Sequence, residues 1–331
     1  MPDVVERARE IAEEVLFPAA PRTDAADLVP ADNLDALAAA GLYGMAVPAS
    51  FGGLDLDLAT QHRVVETLAS GCLTTTFVWL QHRNPTRALA TTANAGLRDA
   101  WLAPLAAGER RAGIALAGNR PGPPLLRAAR AGGAPVLTGD APWVSGWGLV
   151  DVLLVTARDG DVVVSMLIDA VGSDDLRVER LRLVGANASG TVTLRFDGHA
   201  VPAERIVAEE PHASVLERDA TGLRMNGSLA LGLIDRCCRL LGPGPLDDEL
   251  AAVRRELDEA TTERLPEARA AACELALRAS AALTVARGSR AILATEHAER
   301  LAREALFLSV FGSRPPIKAS LLRRLGASAD A

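Results

Sequence analysis

Two tryptophans with a serine between them are the residues in this chain that most suggest chemistry. Trp143 and Trp147 flank Ser145 within five residues, although the whole chain has only four tryptophans. Aromatic rings beside a hydroxyl can form a wall for a ring-shaped ligand, with the hydroxyl as a hydrogen-bonding group. The same spacing is typical of rings that cap a hydrophobic core. The sequence therefore predicts a ring-binding site here and leaves core packing of both rings as the alternative.

The segment around these rings must position them. Residues 149–157 form a β-branched apolar run without helical spacing, which predicts a strand that is buried on both faces. Gly139 and the pair Gly146 and Gly148 lie on either side of the first tryptophan. Because glycines mark turns, we expect the rings to lie where the backbone turns, just before the buried strand.

The chain divides by composition into a helical part, a part rich in strand patterns and a second helical part. We predict the bounds 1–111, 112–208 and 209–331. In the middle part, residues 162–168 are almost continuously apolar and residues 191–196 alternate, as strands do. The pattern therefore predicts an α+β protein with a small β-domain between two helical domains.

Helix signals are clearest on both sides of the β-domain. In the first part, Asp57 is predicted to cap a helix over 58–69. In the last part, residues 246–286 predict one long helix that is kinked or split at Pro266, and residues 289–311 predict another.

One of the predicted N-terminal helices carries a second group of candidate ligand-facing residues. Trp79, His82 and Arg83 follow one another on a helix that begins near Thr74. They could face a ligand. In the alternative, Trp79 belongs to the core, and His82 and Arg83 are solvated or pair locally.

Charge and hydropathy exclude several classes of function. The 331 residues carry a net charge of −7 and include no basic run, which argues against nucleic acid and anionic membranes as partners. The first residues are charged and amphipathic, unlike a signal peptide, and no apolar run is long enough to cross a membrane. We therefore expect a cytoplasmic protein.

Cysteine and histidine spacing gives no support for a metal site. The four cysteines have no metal-ligand spacing, and the five histidines include no His-x-x-x-His pair. We predict that Cys72, Cys237, Cys238 and Cys273 are buried thiols and that no metal is bound.

Residues 137–158, LTGDAPWVSGWGLVDVLLVTAR, resemble a segment of the acyl-CoA dehydrogenase family in which a Trp-Ile-Thr triplet precedes a strand. Residues 41–57, 87–116 and 191–207 resemble further segments of that family in the same order. The resemblance covers most of the chain. It implies the acyl-CoA dehydrogenase-like fold, with an N-terminal α-helical domain, a middle β-domain and a C-terminal helix bundle.

The resemblance also implies FAD as the cofactor. In the family, the Trp and Thr of the triplet pack against the flavin, and these places are taken here by Trp143 and Ser145, with Val144 between them. A second family segment touches the flavin through a Thr, and Ala117, which follows Leu116, stands in its place. The resemblance therefore implies a cofactor site at these five residues.

This chain lacks several of the residues with which family members bind the dinucleotide half of FAD. The Arg- and Gln-bearing segment is shortened to LLGPGPLDDEL at 240–250, and the glycine-rich loop at 287–293 keeps only Gly288. FAD binding is therefore expected to be weaker, unless arginines such as Arg120, Arg287 or Arg290 replace the missing contacts.

The family's catalytic base is absent from both of its usual positions. Family members remove an α-proton from an acyl thioester with a glutamate while a hydride leaves the β-carbon. Residues 303–317 resemble the segment that carries this glutamate, and the base position is Gly312. In relatives with the base on the first C-terminal helix, the matching position is about Gly222, with Asp219 nearby as a possible substitute or a helix cap. The catalytic residue is therefore left unassigned.

These observations favour an FAD-dependent oxidoreductase of the acyl-CoA dehydrogenase type that acts on the CH–CH group of an acyl thioester. The resemblance implies a homodimer or homotetramer, with an electron-transfer flavoprotein as a possible electron acceptor. One alternative is a non-catalytic or half-site subunit that pairs with an active paralogue in a mixed oligomer. Another alternative is a flavin-dependent monooxygenase on the same fold, which needs no carboxylate base.

Overall fold

The structure is a computed structural model that describes residues 3–328, apart from the side chains of residues 131 and 219–221. Helices precede and follow a single large sheet along the chain, as the α+β prediction requires. The predicted domain bounds 1–111, 112–208 and 209–331 stay predictions.

The first helical part contains helices α1 to α7. Their bounds are α1 Val4–Ile11, α2 Phe17–Ala25, α3 Ala31–Ala39, α4 Leu58–Gly71, α5 Leu73–Gln81, α6 Arg83–Thr91 and α7 Ala95–Ala107. Asp57 caps α4 as predicted, because its side chain accepts a hydrogen bond of 2.8 Å from the backbone N–H of Thr60. α5 and α6 follow each other directly, so they position their side chains along one helical rod.

The middle part is an eight-stranded sheet. Its strands are β1 Ala112–Ala115, β2 Leu126–Ala131, β3 Ala134–Val144, β4 Val152–Asp159, β5 Val162–Asp169, β6 Leu176–Arg180, β7 Val192–Ala200 and β8 Ile206–Pro211. Along the sheet the order is β6-β7-β3-β2-β4-β5-β8, and β1 pairs in parallel with β4. Residues 152–157 of β4 are buried, as expected for an apolar run without alternation.

The C-terminal part contains helices α8 to α13. Their bounds are α8 His212–Thr221, α9 Leu223–Leu241, α10 Pro245–Glu259, α11 Leu265–Arg287, α12 His297–Val310 and α13 Pro315–Arg324. The predicted helix over 246–286 is split, and Pro266 lies in the first turn of α11, where its missing N–H costs nothing. The predicted start of a helix at residue 289 is wrong, because Gly288–Ile292 forms a separate 3-10 turn and α12 begins at His297.

Close backbone contacts bring the helical parts and the sheet together. Gly232 of α9 lies so near α4 that a Cβ there would be 2.3 Å from the Glu66 carbonyl oxygen. Gly185, in the loop between β6 and β7, would likewise place a Cβ 2.3 Å from the Arg303 carbonyl oxygen of α12. Any larger residue at these two positions would collide with a carbonyl oxygen. Gly232 therefore permits the contact between α9 and α4, and Gly185 permits the contact between α12 and the loop that joins β6 and β7.

Candidate functional site

Trp143 lies near the end of β3 with its ring exposed. The side chain is 61% exposed, and the backbone φ of 63° lies in the left-handed region, which a bulky residue rarely occupies. The pairing of β3 with β7 shifts register between Ala141 and Val144, so the residue sits at a bulge. Of the predicted turn positions, Gly139 lies within β3 instead, whereas residues 147–149 form a turn as expected. Strained residues of this kind cluster at ligand-binding sites.

The two residues after Trp143 point into the protein. Val144 is buried in the core of the sheet, and Ser145 is 5% exposed. The Ser145 hydroxyl lies 2.8 Å from the Thr191 hydroxyl, which in turn lies 2.7 Å from the Ser189 hydroxyl. The hydroxyl that we expected to meet a ligand is thus already paired, and its contact with a cofactor stays a prediction.

Leu116 and Ala117 follow β1 and lie close to the same end of β3. Leu116 is half-buried, and Ala117 opens a buried 3-10 turn, Ala117–Asn119, that contacts β3 and β4. Asn119 of this turn has a buried Oδ1 atom without a hydrogen-bond partner among the described residues. The structure therefore places the five predicted cofactor residues at the end of β3 and in the segment that follows β1, and of the five only Trp143 is strongly exposed.

At Gly312, where the resemblance implies the family's base, the chain has no side chain. Gly312 follows α12 with a φ of 60°, and a Cβ there would lie 3.2 Å from the Asn226 Nδ2 atom of α9. Gly222 is exposed immediately before α9, and the side chain of Asp219 lies outside the described residues. Sequence reasoning missed Asn226, although it lies one helical turn after Gly222.

Three phenylalanines pack together beside Gly312. Phe77 of α5 makes edge contacts with Phe307 of α12, at 5.0 Å between ring centroids, and with Phe311, at 4.9 Å. The rings of Phe307 and Phe311 stack at 5.5 Å. Aromatic rings arranged in this way exclude water from the space that they line. We call Phe77, Phe307 and Phe311 the phenylalanine cluster.

The three candidate residues at the junction of α5 and α6 are all buried. Trp79 is part of the core, as the alternative prediction had it. His82 is also buried, which lowers its pKa to about 3. Of the two alternatives, solvated or paired, it is paired, because its ring nitrogens meet the Leu105 carbonyl oxygen and the Ala112 N–H. Arg83 is 8% exposed, and its Nε donates a hydrogen bond of 2.6 Å to the Gln61 Oε1 atom.

A narrow space lies beside these residues. Its lining residues are Leu42, Tyr43, Met45, Ala46, Trp79, His82, Arg83 and Thr86. A larger cleft of about 610 Å³ lies between the first turns of α1, α4 and α9. It is lined by Asp3, Val5, Leu58, Ala59, Thr60, His62, Arg63, Arg224 and Asp258.

The cysteines, the possible metal ligands and the helices long enough to be considered as membrane spans add no candidate site among the described residues. All four cysteines are free and buried, as predicted. Across residues 3–328, no group of three or more His, Cys, Asp and Glu side chains is arranged to hold a metal ion. None of the helices within that range is both long and apolar enough to cross a membrane.

Comparisons of sequence and of structure both relate this chain to acyl-CoA dehydrogenases. Residues 3–109 match the family model "Acyl-CoA dehydrogenase, N-terminal domain". The chain is 30% identical over 169 residues to 3-sulfinopropanoyl-CoA desulfinase of Variovorax paradoxus. The aligned region covers 47% of this chain and 40% of that protein. It is 24% identical to the human mitochondrial short-chain specific acyl-CoA dehydrogenase, over 62% of this chain and 52% of that protein. The chain thus spans about half the length of the curated relatives that it matches.

The fold comparison covers nearly the whole chain. A glutaryl-CoA dehydrogenase of Mycobacterium smegmatis, solved in complex with FADH2, superposes with a TM-score of 0.83 at 16% identity. The superposition covers 98% of this chain and 93% of that one. Residues 3–109 therefore match the N-terminal domain of the acyl-CoA dehydrogenase family, and nearly the whole chain has the fold of the solved glutaryl-CoA dehydrogenase.

Proposed function

We propose that this protein is an FAD-dependent oxidoreductase of the acyl-CoA dehydrogenase type that acts on an acyl thioester. The exposed Trp143 ring, held at a φ of 63° near the end of β3, carries the proposal. A bulky residue in the left-handed region costs about 1–2 kcal/mol, and such a cost persists where the side chain serves a ligand. The dehydrogenase names of relatives and the FADH2 complex of a structural neighbour support the same function.

The residues around the end of β3 fit the flavin end of FAD. Trp143 offers an exposed ring surface for stacking, and the unpaired Oδ1 atom of Asn119 offers a buried acceptor beside Leu116 and Ala117. FAD, when bound, supplies the acceptor for a hydride that leaves the acyl chain. The proposed role of these side chains is to hold and orient the flavin.

The residues near Gly312 would shape the place of the acyl group. The phenylalanine cluster presents apolar rings, which exclude water from a reacting thioester. Asn226 lies where a base on residue 312 would extend, and its amide can donate a hydrogen bond but cannot accept a proton from carbon. No residue is therefore assigned as the base that removes the α-proton.

The absence of a side chain at Gly312 favours a second candidate function. A subunit without its own base can bind flavin and substrate in a mixed oligomer with an active paralogue, while the paralogue performs the chemistry. This candidate keeps the role of Trp143 and differs only in whether the isolated chain turns over. We also propose oligomer formation, and transfer of electrons to an electron-transfer flavoprotein, by resemblance to the family. The cytoplasmic location stays a prediction from the sequence.

Anaerobic titration of the FAD-loaded protein with acyl-CoAs of increasing chain length tests the proposed function. The proposal predicts loss of the visible flavin absorption with at least one acyl-CoA. If the flavin is bound but remains oxidised with every acyl-CoA, the non-catalytic subunit is the better description. If neither flavin nor acyl-CoA binds, both candidates are wrong.

A further inference from the structure

Helix α9 is enclosed by other helices over residues 223–234, with a single opening. The helix contacts α4, α5, α10, α11 and α12. Every residue of 223–234 is buried except Asn226, which is half-buried. Gly312, which follows α12, is also half-buried and lies beside Asn226. The packing around this part of α9 is therefore open where Asn226 and Gly312 meet.

The missing side chain at Gly312 keeps this opening free. A Cβ at residue 312 would lie 3.2 Å from the Asn226 Nδ2 atom. Apart from its neighbours in the chain, no other atom of the described residues would lie within 4 Å of that Cβ. A larger residue at position 312 would therefore cover the amide. Glycine leaves the amide within reach of a ligand.

The Asn226 amide has no partner inside the protein. Among residues 3–328, neither its Oδ1 atom nor its Nδ2 atom makes a hydrogen bond. By contrast, the charged and hydroxyl side chains of α9 all have partners. They are Arg224, Ser228, Asp235, Arg236 and Arg239. An amide that loses its water without gaining a partner is unfavourable, so a ligand that enters here must hydrogen-bond to Asn226.

The other side chains around the opening are apolar. Phe311 precedes Gly312 in the chain and belongs to the phenylalanine cluster. On α9, Met225 and Leu229 lie in the same hydrophobic core as Phe77. A ligand that fits these surroundings is therefore mostly hydrocarbon and carries a polar group that meets Asn226. An acyl group has this composition.

The orientation of the amide indicates which polar group this is. The atom of Asn226 that faces Gly312 is Nδ2, which donates hydrogen bonds and does not accept them. Its complement on the ligand is an acceptor. In an acyl group the good acceptors are oxygens, since sulfur accepts only weakly.

We propose that Asn226 donates a hydrogen bond to an oxygen atom of the acyl group at the opening beside Gly312. The oxygen is that of the thioester or a second one further along the chain, and the amide serves both in the same way. This inference rests on the proposed function, because it takes an acyl thioester as the substrate. It assigns a substrate contact to Asn226.

Isothermal titration calorimetry on the FAD-loaded protein tests the inference with two matched pairs of ligands. Acetyl-CoA and S-ethyl-CoA differ only in the thioester oxygen. S-(2-oxopropyl)-CoA and S-propyl-CoA differ only in an oxygen that lies one carbon further along the chain. None of the four can be dehydrogenated, because each lacks either a carbonyl group or a CH–CH bond beside it.

Three variants change the amide or its access. Asn226→Leu removes the hydrogen bond at similar size, Asn226→Asp keeps the shape but replaces the donor by an anion, and Gly312→Ala covers the amide with a methyl group. Gly160→Ala is the control for Gly312→Ala. Gly160 has a φ of 57°, close to the 60° of Gly312, and a Cβ there would meet no atom within 4 Å.

We expect the wild-type protein to bind the oxygen-bearing member of at least one pair about 3- to 10-fold more tightly, as one net hydrogen bond allows. Asn226→Leu and Gly312→Ala should abolish this preference by weakening that member alone. Asn226→Asp should reverse it, because a carboxylate repels the oxygen, and Gly160→Ala should leave it unchanged. The pair that shows the preference identifies the oxygen. The melting temperature of Asn226→Leu should be unchanged, because the amide has no partner in the protein.

Binding without a preference in either pair would overturn the inference, as would a preference that persists in Asn226→Leu and Asn226→Asp. Equal weakening of both members of a pair would also overturn it, because Asn226 would then act through packing. In these cases the proposed function still stands, since CoA derivatives bind. If the protein retains FAD but binds none of the four ligands, the proposed function fails and the inference fails with it.

Discussion

At the scale of single residues, the chemistry of this protein depends on what replaces the family's base. Gly312 provides no side chain, and its φ of 60° is one that glycine adopts without strain. The Asn226 amide points at the same place from α9. The resemblance implies that a base would act from this position, and a single substitution can place a carboxylate there.

Gly312→Glu should raise the rate of flavin reduction by acyl-CoA by at least about 100-fold, since a positioned general base contributes about 10²–10⁴-fold. The substitution carries a strain of about 1–2 kcal/mol from the left-handed backbone, and Asn226 must shift by a few tenths of an ångström. Stopped-flow reduction of the FAD-loaded variant measures the effect.

Gly312→Gln is the matched control, because glutamine has the same size and strain but cannot accept the proton. Equal rates in the glutamate and glutamine variants would mean that residue 312 does not face the reacting carbon.

Sequence patterns pointed to some of these residues but not to the contacts that they make. The resemblance singled out Gly312 and Trp143, because both lie in recognisable segments, and the roles of the two residues stay predictions. The burial of Ser145 against Thr191 could not be predicted, since the contact joins residues that are 46 positions apart.

At the scale of secondary structure, α5 and α6 connect the helical part to the sheet. His82, at their junction, accepts a hydrogen bond of 3.0 Å from the Ala112 N–H of β1. Its other ring nitrogen lies 3.1 Å from the Leu105 carbonyl oxygen of α7. The neutral imidazole therefore holds three elements in register, and with them Phe77 and Arg83.

This contact should make the fold sensitive to acid. Burial lowers the pKa of His82 to about 3 in the folded protein, whereas the unfolded chain takes up the proton near pH 6.5. Because the unfolded state binds more protons in this range, stability falls as the pH falls. Between pH 7 and pH 5 the contribution of His82 should decrease by about 2 kcal/mol.

Urea unfolding of the wild type and His82→Gln at both pH values measures this contribution. The glutamine variant should be less stable at pH 7 and should lose about 2 kcal/mol less on acidification. Identical pH dependence in the two proteins would show that His82 is not held neutral.

Helices and strands with a clear sequence pattern were predicted correctly, whereas some of the turns between them were not. The apolar run at 162–168 became β5, and Asp57 capped α4. By contrast, β3 runs through Gly139 because pairing with β2 and β7 on both sides outweighs the turn preference of glycine. The 3-10 turn at Gly288–Ile292 likewise interrupts a segment whose composition favours helix.

At the scale of the whole molecule, the fold is that of the solved acyl-CoA dehydrogenases, and the proposed cofactor site has fewer candidate contacts than the family's pattern implies. Domain order and sheet position could be predicted because resemblance covered most of the chain, and the superposition extends over 98% of it. Whether the remaining contacts suffice for FAD could not be predicted, because the shortened segment at 240–250 and the loop at 287–293 act in the family across subunits. The proposed function therefore depends first on flavin binding.

The most direct test is the visible absorption spectrum of the purified protein before and after incubation with excess FAD, with released flavin counted per chain after gel filtration. The proposed function predicts a yellow protein with close to one FAD per chain, and a clearly lower content in Trp143→Ala. A wild-type protein that remains colourless after incubation would contradict the assignment of this chain as a flavoprotein.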